Sequence, residues 1–195
     1  MQAPVSDREA VLSVLENGFD GKSASELQAV YDQIKAIAKD AALRNDQSID
    51  TILPLSLTSQ LGFPGVPISC RRFMSLASPE SPDAPQEDDL FSSDLDGVQL
   101  SKTFWGIKTQ GLLRDRLMIL FSGADDSVPD WIDKEKLLQR WKDAADNGGE
   151  HRVWDDDFST VIEGATHTLS GNEQIGPRKE LVRRVLGYLD RLQNV

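Results

Sequence analysis

The run Arg116-Leu-Met-Ile-Leu-Phe121, followed by Ser122-Gly-Ala-Asp125-Asp126, decides the fold. It is short, continuously apolar, and bounded by charge on one side and Ser-Gly on the other. A strand buried on both faces has this character, and such strands belong to parallel sheets covered by helices. The sequence that follows supplies the covering. Trp131, Leu137, Leu138, Trp141 and Ala145 share one helical face, and Gly148-Gly149 end it. Phe158-Ser-Thr-Val-Ile162 reads as a second strand and leads into Gly164-Ala-Thr-His167. Pro177 opens a last helix carrying Leu181, Val182, Val185, Leu189 and Leu192. Residues 113–195 thus form a β-α-β-α succession, which makes the fold class α/β.

Upstream the pattern is helical. Ser6-Asp-Arg-Glu9 is a capping box ahead of Val11, Leu12, Val14 and Leu15, with Gly18 as the stop. Ser23 and Glu26 form a second box before Leu27, Val30, Ile34, Ile37, Ala38 and Ala41. Pro67 is placed to begin a third helix with Ile68, Phe73, Met74 and Leu76. Residues 78–89 lose periodicity and carry Glu80, Asp83, Glu87, Asp88 and Asp89, the signature of a flexible, solvated acidic loop. A short helix is expected from Asp94 to Phe104, capped by Asp94. The chain shows no internal repeat.

Composition narrows the function. Of 195 residues, 21 are Lys or Arg and 32 Asp or Glu, a formal charge of −11 that repels nucleic acid and anionic lipid. The basic pairs Arg71-Arg72 and Arg183-Arg184 are too small to reverse that field. The single cysteine, Cys70, excludes an internal disulfide framework and fits a reducing compartment. No apolar run approaches the roughly 20 residues of a membrane span, and Met1–Ala10 has no secretory character. These features predict a cytoplasmic protein without nucleic-acid or membrane partners.

Two loops are placed for chemistry, because sites in open α/β sheets lie at the carboxyl ends of strands. One is Ser122–Pro129, containing Asp125 and Asp126; the other is Gly164–His167. An aspartate that orients a histidine acting as general base makes two thirds of a Ser-His-Asp triad, and acid before histidine is the chain order of α/β-hydrolases. Taken singly, a strand-end aspartate is often a turn cap and a loop histidine often a satisfied polar residue.

The segments SGADDSVPDWIDKEKLLQRW (122–141) and VIEGATHTLSG (161–171) resemble the C-terminal half of a fungal α/β-hydrolase family that includes esterases opening ester-linked, fusarinine-type siderophores. QAPVSDREA (2–10), PISCRRFMSLASP (67–79) and FSSDL (91–95) extend the resemblance over nearly the whole chain. It implies a partial α/β-hydrolase fold. Residues 1–112 hold the end of a core strand and a helical cap-like region with acidic loop 78–89; residues 113–195 hold the last two strand–helix units of the sheet. By the same resemblance His167 is the catalytic histidine and Asp125 the triad acid, with Asp126 as the alternative. The substrate is a small siderophore-like ester, and neither metal nor organic cofactor takes part.

The family's nucleophile elbow, Gly-x-Ser-x-Gly, lies upstream of the segment that here begins at residue 2, and no such motif occurs in these 195 residues. The nearest approach, Gly21-Lys-Ser23-Ala-Ser25, ends in serine. The nucleophile is therefore absent from this chain, and so are the usual oxyanion donors. The expectation is a truncated or incompletely read protein that does not hydrolyse esters by this route. Its open sheet edge then invites association with a second copy or another partner, and a non-catalytic binding module is the alternative function.

Other features read as structural. Gly21-Lys22-Ser23 lacks the glycine and preceding strand of a phosphate loop. Asp155-Asp156-Asp157 reads as a solvated turn, since consecutive acids do not converge on one ion. His151, His167 and Cys70 have no zinc spacing. Cys70 is a buried, inert thiol beside Ile68 and Phe73 rather than a substitute nucleophile. Trp131 and Trp141 are core residues, and Trp105 is placed to line a substrate pocket.

Overall fold

Ser6 and Ser23 each start a helix as their capping patterns require. In the computed structural model, which describes residues 4–44, 48–109, 111–113, 115–147 and 152–193, α1 spans Asp7–Asn17, and the Glu9 amide donates to Ser6 Oγ at 3.1 Å. α2 spans Ala24–Arg44; the Ser23 amide donates to Glu26 Oε2 at 2.9 Å while the Glu26 amide donates to Ser23 Oγ at 3.4 Å. The short α3, Leu55–Thr58, and α4, Cys70–Ala77, complete a helical unit from Ser6 to Ser92. Its core joins Val11 of α1, Leu27, Tyr31, Ile34 and Ala38 of α2, and Phe73 and Leu76 of α4. Leu12, expected on the apolar stripe of α1, is exposed.

Pro67 does not begin α4. Backbone pairing intervenes: the Leu53 amide donates to Ile68 O at 2.8 Å and the Cys70 amide to Thr51 O at 2.9 Å. Residues 68–69 are thereby held extended, and Ser69 becomes the cap, accepting from the Arg72 amide at 3.1 Å. Cys70 is consequently at the helix start, fully buried, and burial pushes its thiol pKa up.

The acidic stretch 78–89 departs most from expectation. It is a series of turns, and its last residue, Asp89, is fully buried. Arg8 Nε donates to Asp89 Oδ2 at 2.7 Å, Ser6 Oγ donates to Oδ1 at 3.1 Å, and Ser81 and Ser92 hydroxyls donate as well. Asp88 accepts from Arg72 and Ser75. Its acidity thus serves internal pairing for these two residues rather than solvation.

From Ser93 onward the chain forms an α/β unit. α5 spans Gly97–Thr109, later than expected, because Asp96 rather than Asp94 caps it: the Gln99 amide donates to Asp96 Oδ1 at 2.8 Å. β1, Leu120–Ser122, and β2, Thr160–Ile162, pair in parallel with Phe121 opposite Val161. Each is shorter than the apolar run that announced it. Phe158 instead lies in a turn, its amide donating to Asp155 Oδ1 at 3.0 Å. Asp155 is fully buried and its other oxygen pairs with Arg191, so this part of the Asp155–Asp157 triplet is not solvated.

α6, Lys134–Asp146, makes the crossover between the strands. Alternation along β1 sends Phe121 to α6, where it stacks on Trp141 at 5.5 Å. Leu120 and Ile162 meet Leu181 and Val185 of the last helix, α7, Ile175–Gln193. Pro177 sits inside the first turn of α7, where its missing N–H has no partner to lose, and a 3₁₀ turn, Asn172–Gln174, leads in. α7 has no fully buried residue, and Ile175, Val182, Leu186 and Leu189 are exposed. Trp131 precedes α6 and is half exposed, so it is not a core residue, whereas Trp154 is buried. Gly148, Gly149, His151, the side chain of Trp105 and the first three residues lie outside the described set.

Candidate active site

Both parallel strands end at the same edge, and the loops leaving them are stitched together there. The Gly123 amide donates to Ile162 O at 2.9 Å and the Ala124 amide to Ala165 O at 2.8 Å, so strand-like pairing continues past Ser122 and Ile162. Gly123 is required for this approach, because a Cβ at that position would lie 2.8 Å from Ile162 O. Gly164 turns the second loop with φ +68°, a conformation that favours glycine.

Residue 125 follows immediately. Its side chain is 0% exposed, and Oδ1 accepts from the Ser127 amide at 3.0 Å. That Asx turn leaves Oδ2 directed at the neighbouring loop, where His167 Nδ1 lies 2.9 Å away. The His167 side chain is 42% exposed. Asp126, the alternative acid, is exposed, and the bond to His167 comes from Asp125. With Asp125 ionised, Nδ1 carries the proton and donates it, which leaves Nε2 as the basic nitrogen of the ring. The arrangement can accept a proton from a hydroxyl presented to Nε2 and stabilise the resulting imidazolium.

Two polar side chains reach the same loops and carried no sequence signal. Lys134 Nζ donates to Gly123 O at 2.8 Å and to Asp125 O at 3.4 Å. Burial lowers its pKa, opposed by the negative charges of Asp125 and Asp130. Gln174, buried, donates Nε2 to Gly164 O at 3.0 Å and accepts at Oε1 from the Thr166 amide at 2.9 Å. Arg178 adds a bond to Leu169 O at 2.6 Å. Among the described residues, no three His, Cys, Asp or Glu side chains converge on a metal-sized site. No helix among them is long and apolar enough to cross a membrane.

A parallel β-α-β unit with a helix on each face, and a His–Asp pair on the loops at its carboxyl edge, defines part of an α/β-hydrolase fold. A solved structure, the siderophore hydrolase EstB from Aspergillus fumigatus, matches 98% of this chain and 57% of its own length with a TM-score of 0.80 and 49% identity. In sequence, the fusarinine C esterase sidJ of Aspergillus fumigatus is 52% identical over 192 residues, which are 98% of this chain and 54% of that protein. An esterase of Emericella nidulans is 48% identical over 192 residues, 97% of this chain and 51% of the relative. The chain thus spans about half the length of the curated relatives it matches. A family model described as "Protein of unknown function (DUF1749)" matches residues 1–190. The chain belongs to that family, and the relatives named above are called siderophore hydrolase, fusarinine C esterase and esterase.

Proposed function

We propose that this chain supplies the acid and the base of a serine esterase acting on ester-linked siderophores. The observation that carries the reading is the 2.9 Å bond from His167 Nδ1 to buried Asp125, at the carboxyl edge of two parallel strands. In the reaction, His167 Nε2 takes the proton of a serine hydroxyl as its oxygen attacks the ester carbonyl. The imidazolium, stabilised by Asp125, then protonates the departing alkoxide oxygen, leaving an acyl-enzyme. Water activated by the same nitrogen releases the acid. No Gly-x-Ser-x-Gly occurs in the 195 residues, so the serine and its oxyanion donors come from sequence outside them, and this chain alone does not turn over esters by this route. On this reading residues 1–112 are cap-like and residues 113–195 belong to the catalytic core. The lone buried Cys70 thiol fits a reducing, cytoplasmic setting.

The test joins this chain to the segment of the fusarinine C esterase that it does not span, and measures hydrolysis of a fusarinine-type ester. The expected result is turnover that His167→Ala abolishes. A folded chimera whose turnover survives His167→Ala overturns the reading.

A second reading has its own support in the exposed stripe Ile175, Val182, Leu186 and Leu189 on α7 and in the two-stranded sheet. It is a non-catalytic module that binds a partner through its sheet edge or helices. Ester turnover by the chimera, lost on His167→Ala, would sink it.

A further inference from the structure

Each loop of the His–Asp pair is held by a side chain sent back from the start of the next helix. Lys134, first residue of α6, binds the carbonyls of Gly123 and Asp125 and so brackets the residues that deliver the acid. Gln174, immediately before α7, binds Gly164 O and the Thr166 amide and so brackets the residues that deliver the base. The two clamps are chemically matched to their tasks. Two carbonyls need only donors, which an ammonium provides in several directions. A carbonyl beside an amide needs a donor and an acceptor in one plane, which the carboxamide of Gln174 provides. Neither contact touches the imidazole or the carboxylate itself.

We propose that Lys134 and Gln174 are positioning residues of the dyad, acting through the backbones of the two loops to keep His167 Nδ1 on Asp125. This inference rests on the catalytic reading of His167 and Asp125. A bond between two side chains on separate loops persists only if both backbones stay fixed within about 0.5 Å. The bonds between Gly123 and Ile162 and between Ala124 and Ala165 fix the bases of the loops. The clamps fix Gly123 and Asp125 in one loop and Gly164 and Thr166, just ahead of His167, in the other.

The experiment uses the 195-residue chain labelled with ¹⁵N-histidine, in which His151 and His167 are the two signals and His167→Gln assigns them. Nitrogen shifts report which ring nitrogen carries the proton. The neutral ring of His167 is expected as the Nδ1–H form. Lys134→Met and Gln174→Leu are each expected to lower that population by at least about twofold, and Lys134→Arg, which keeps the donors, to restore it. Asp125→Asn is the control for the dyad itself. If Asp125→Asn leaves the tautomer unchanged, the dyad reading fails and this inference with it. If Asp125→Asn shifts the tautomer but Lys134→Met and Gln174→Leu do not, only the positioning role is overturned. Loss of cooperative unfolding in both clamp variants also overturns it, since the clamps then hold the unit rather than the pair.

Discussion

Asp89 of the helical unit and Asp125 of the α/β unit are both buried carboxylates whose partners lie far off in sequence. Asp89 meets Arg8, a permanent cation that is itself buried, and three serine hydroxyls take up its remaining capacity. Asp125 meets a backbone amide and the ring of His167, whose side chain remains 42% exposed. The first arrangement consumes its charge in holding chain segments together. The second leaves one partner with an open nitrogen and a titratable proton. On the catalytic role proposed for Asp125, burial and ion pairing do not separate a structural acid from a catalytic one; the identity and exposure of the partner do.

This contrast is sharpened most by substituting the acids or their partners in turn. In the chimera described above, Asp125→Asn should lower kcat by about 10⁴-fold, the scale known for loss of a triad acid. The same change should move the unfolding free energy by no more than about 1 kcal/mol, since Asn still accepts from the Ser127 amide. Arg8→Met should show the reverse. It strands Asp89 in the interior and should destabilise the helical unit by about 3–5 kcal/mol in urea unfolding. A similar loss of stability from Asp125→Asn would erase the distinction.

Gly123→Ala tests whether the approach of the two loops is needed. Its Cβ would press on Ile162 O, so a cost of about 1–3 kcal/mol is expected, with altered His167 resonances. The smallest effect is expected at the cluster of Glu180 with Arg183 and Arg184 on α7. Hydrogen bonds from Arg183 and Arg184 lower the Glu180 carboxyl from 4.5 to about 2. Its folded pKa lies below the unfolded one, so its stabilisation is present above about pH 4.5 and is lost as pH falls towards about 2. Solvent screening limits Glu180→Gln to less than about 1 kcal/mol at pH 7, and the difference from the parent should vanish near pH 2 in urea titrations.

How much of this was legible in the sequence follows the same division between local and distant. The caps at Ser6 and Ser23 involve residues three apart, and the sequence states both partners. The buried strand at Phe121 and the loops after both strands were readable from a short apolar run and its punctuation. Asp89 was misread as solvated because its partner, Arg8, is 81 residues away, and nothing nearby marks either as buried. The start of α4 was misplaced for a related reason: Ile68 and Ser69 are held extended by pairing with Thr51–Leu53, which has no local signal. At the site, chain order and strand-end position pointed to Asp125 and His167, but the choice against Asp126 needed the Asx turn to Ser127. Lys134 and Gln174 act through backbone groups, and a sequence records side chains alone.

The central claim is that His167, held by Asp125, is a working general base. The most direct measurement is the rate at which a fluorophosphonate labels serine in the chimera, compared with its His167→Gln and Asp125→Asn variants. The account predicts rapid labelling of a single serine in the parent and a loss of labelling rate in both variants. Equal labelling rates in all three proteins would contradict it.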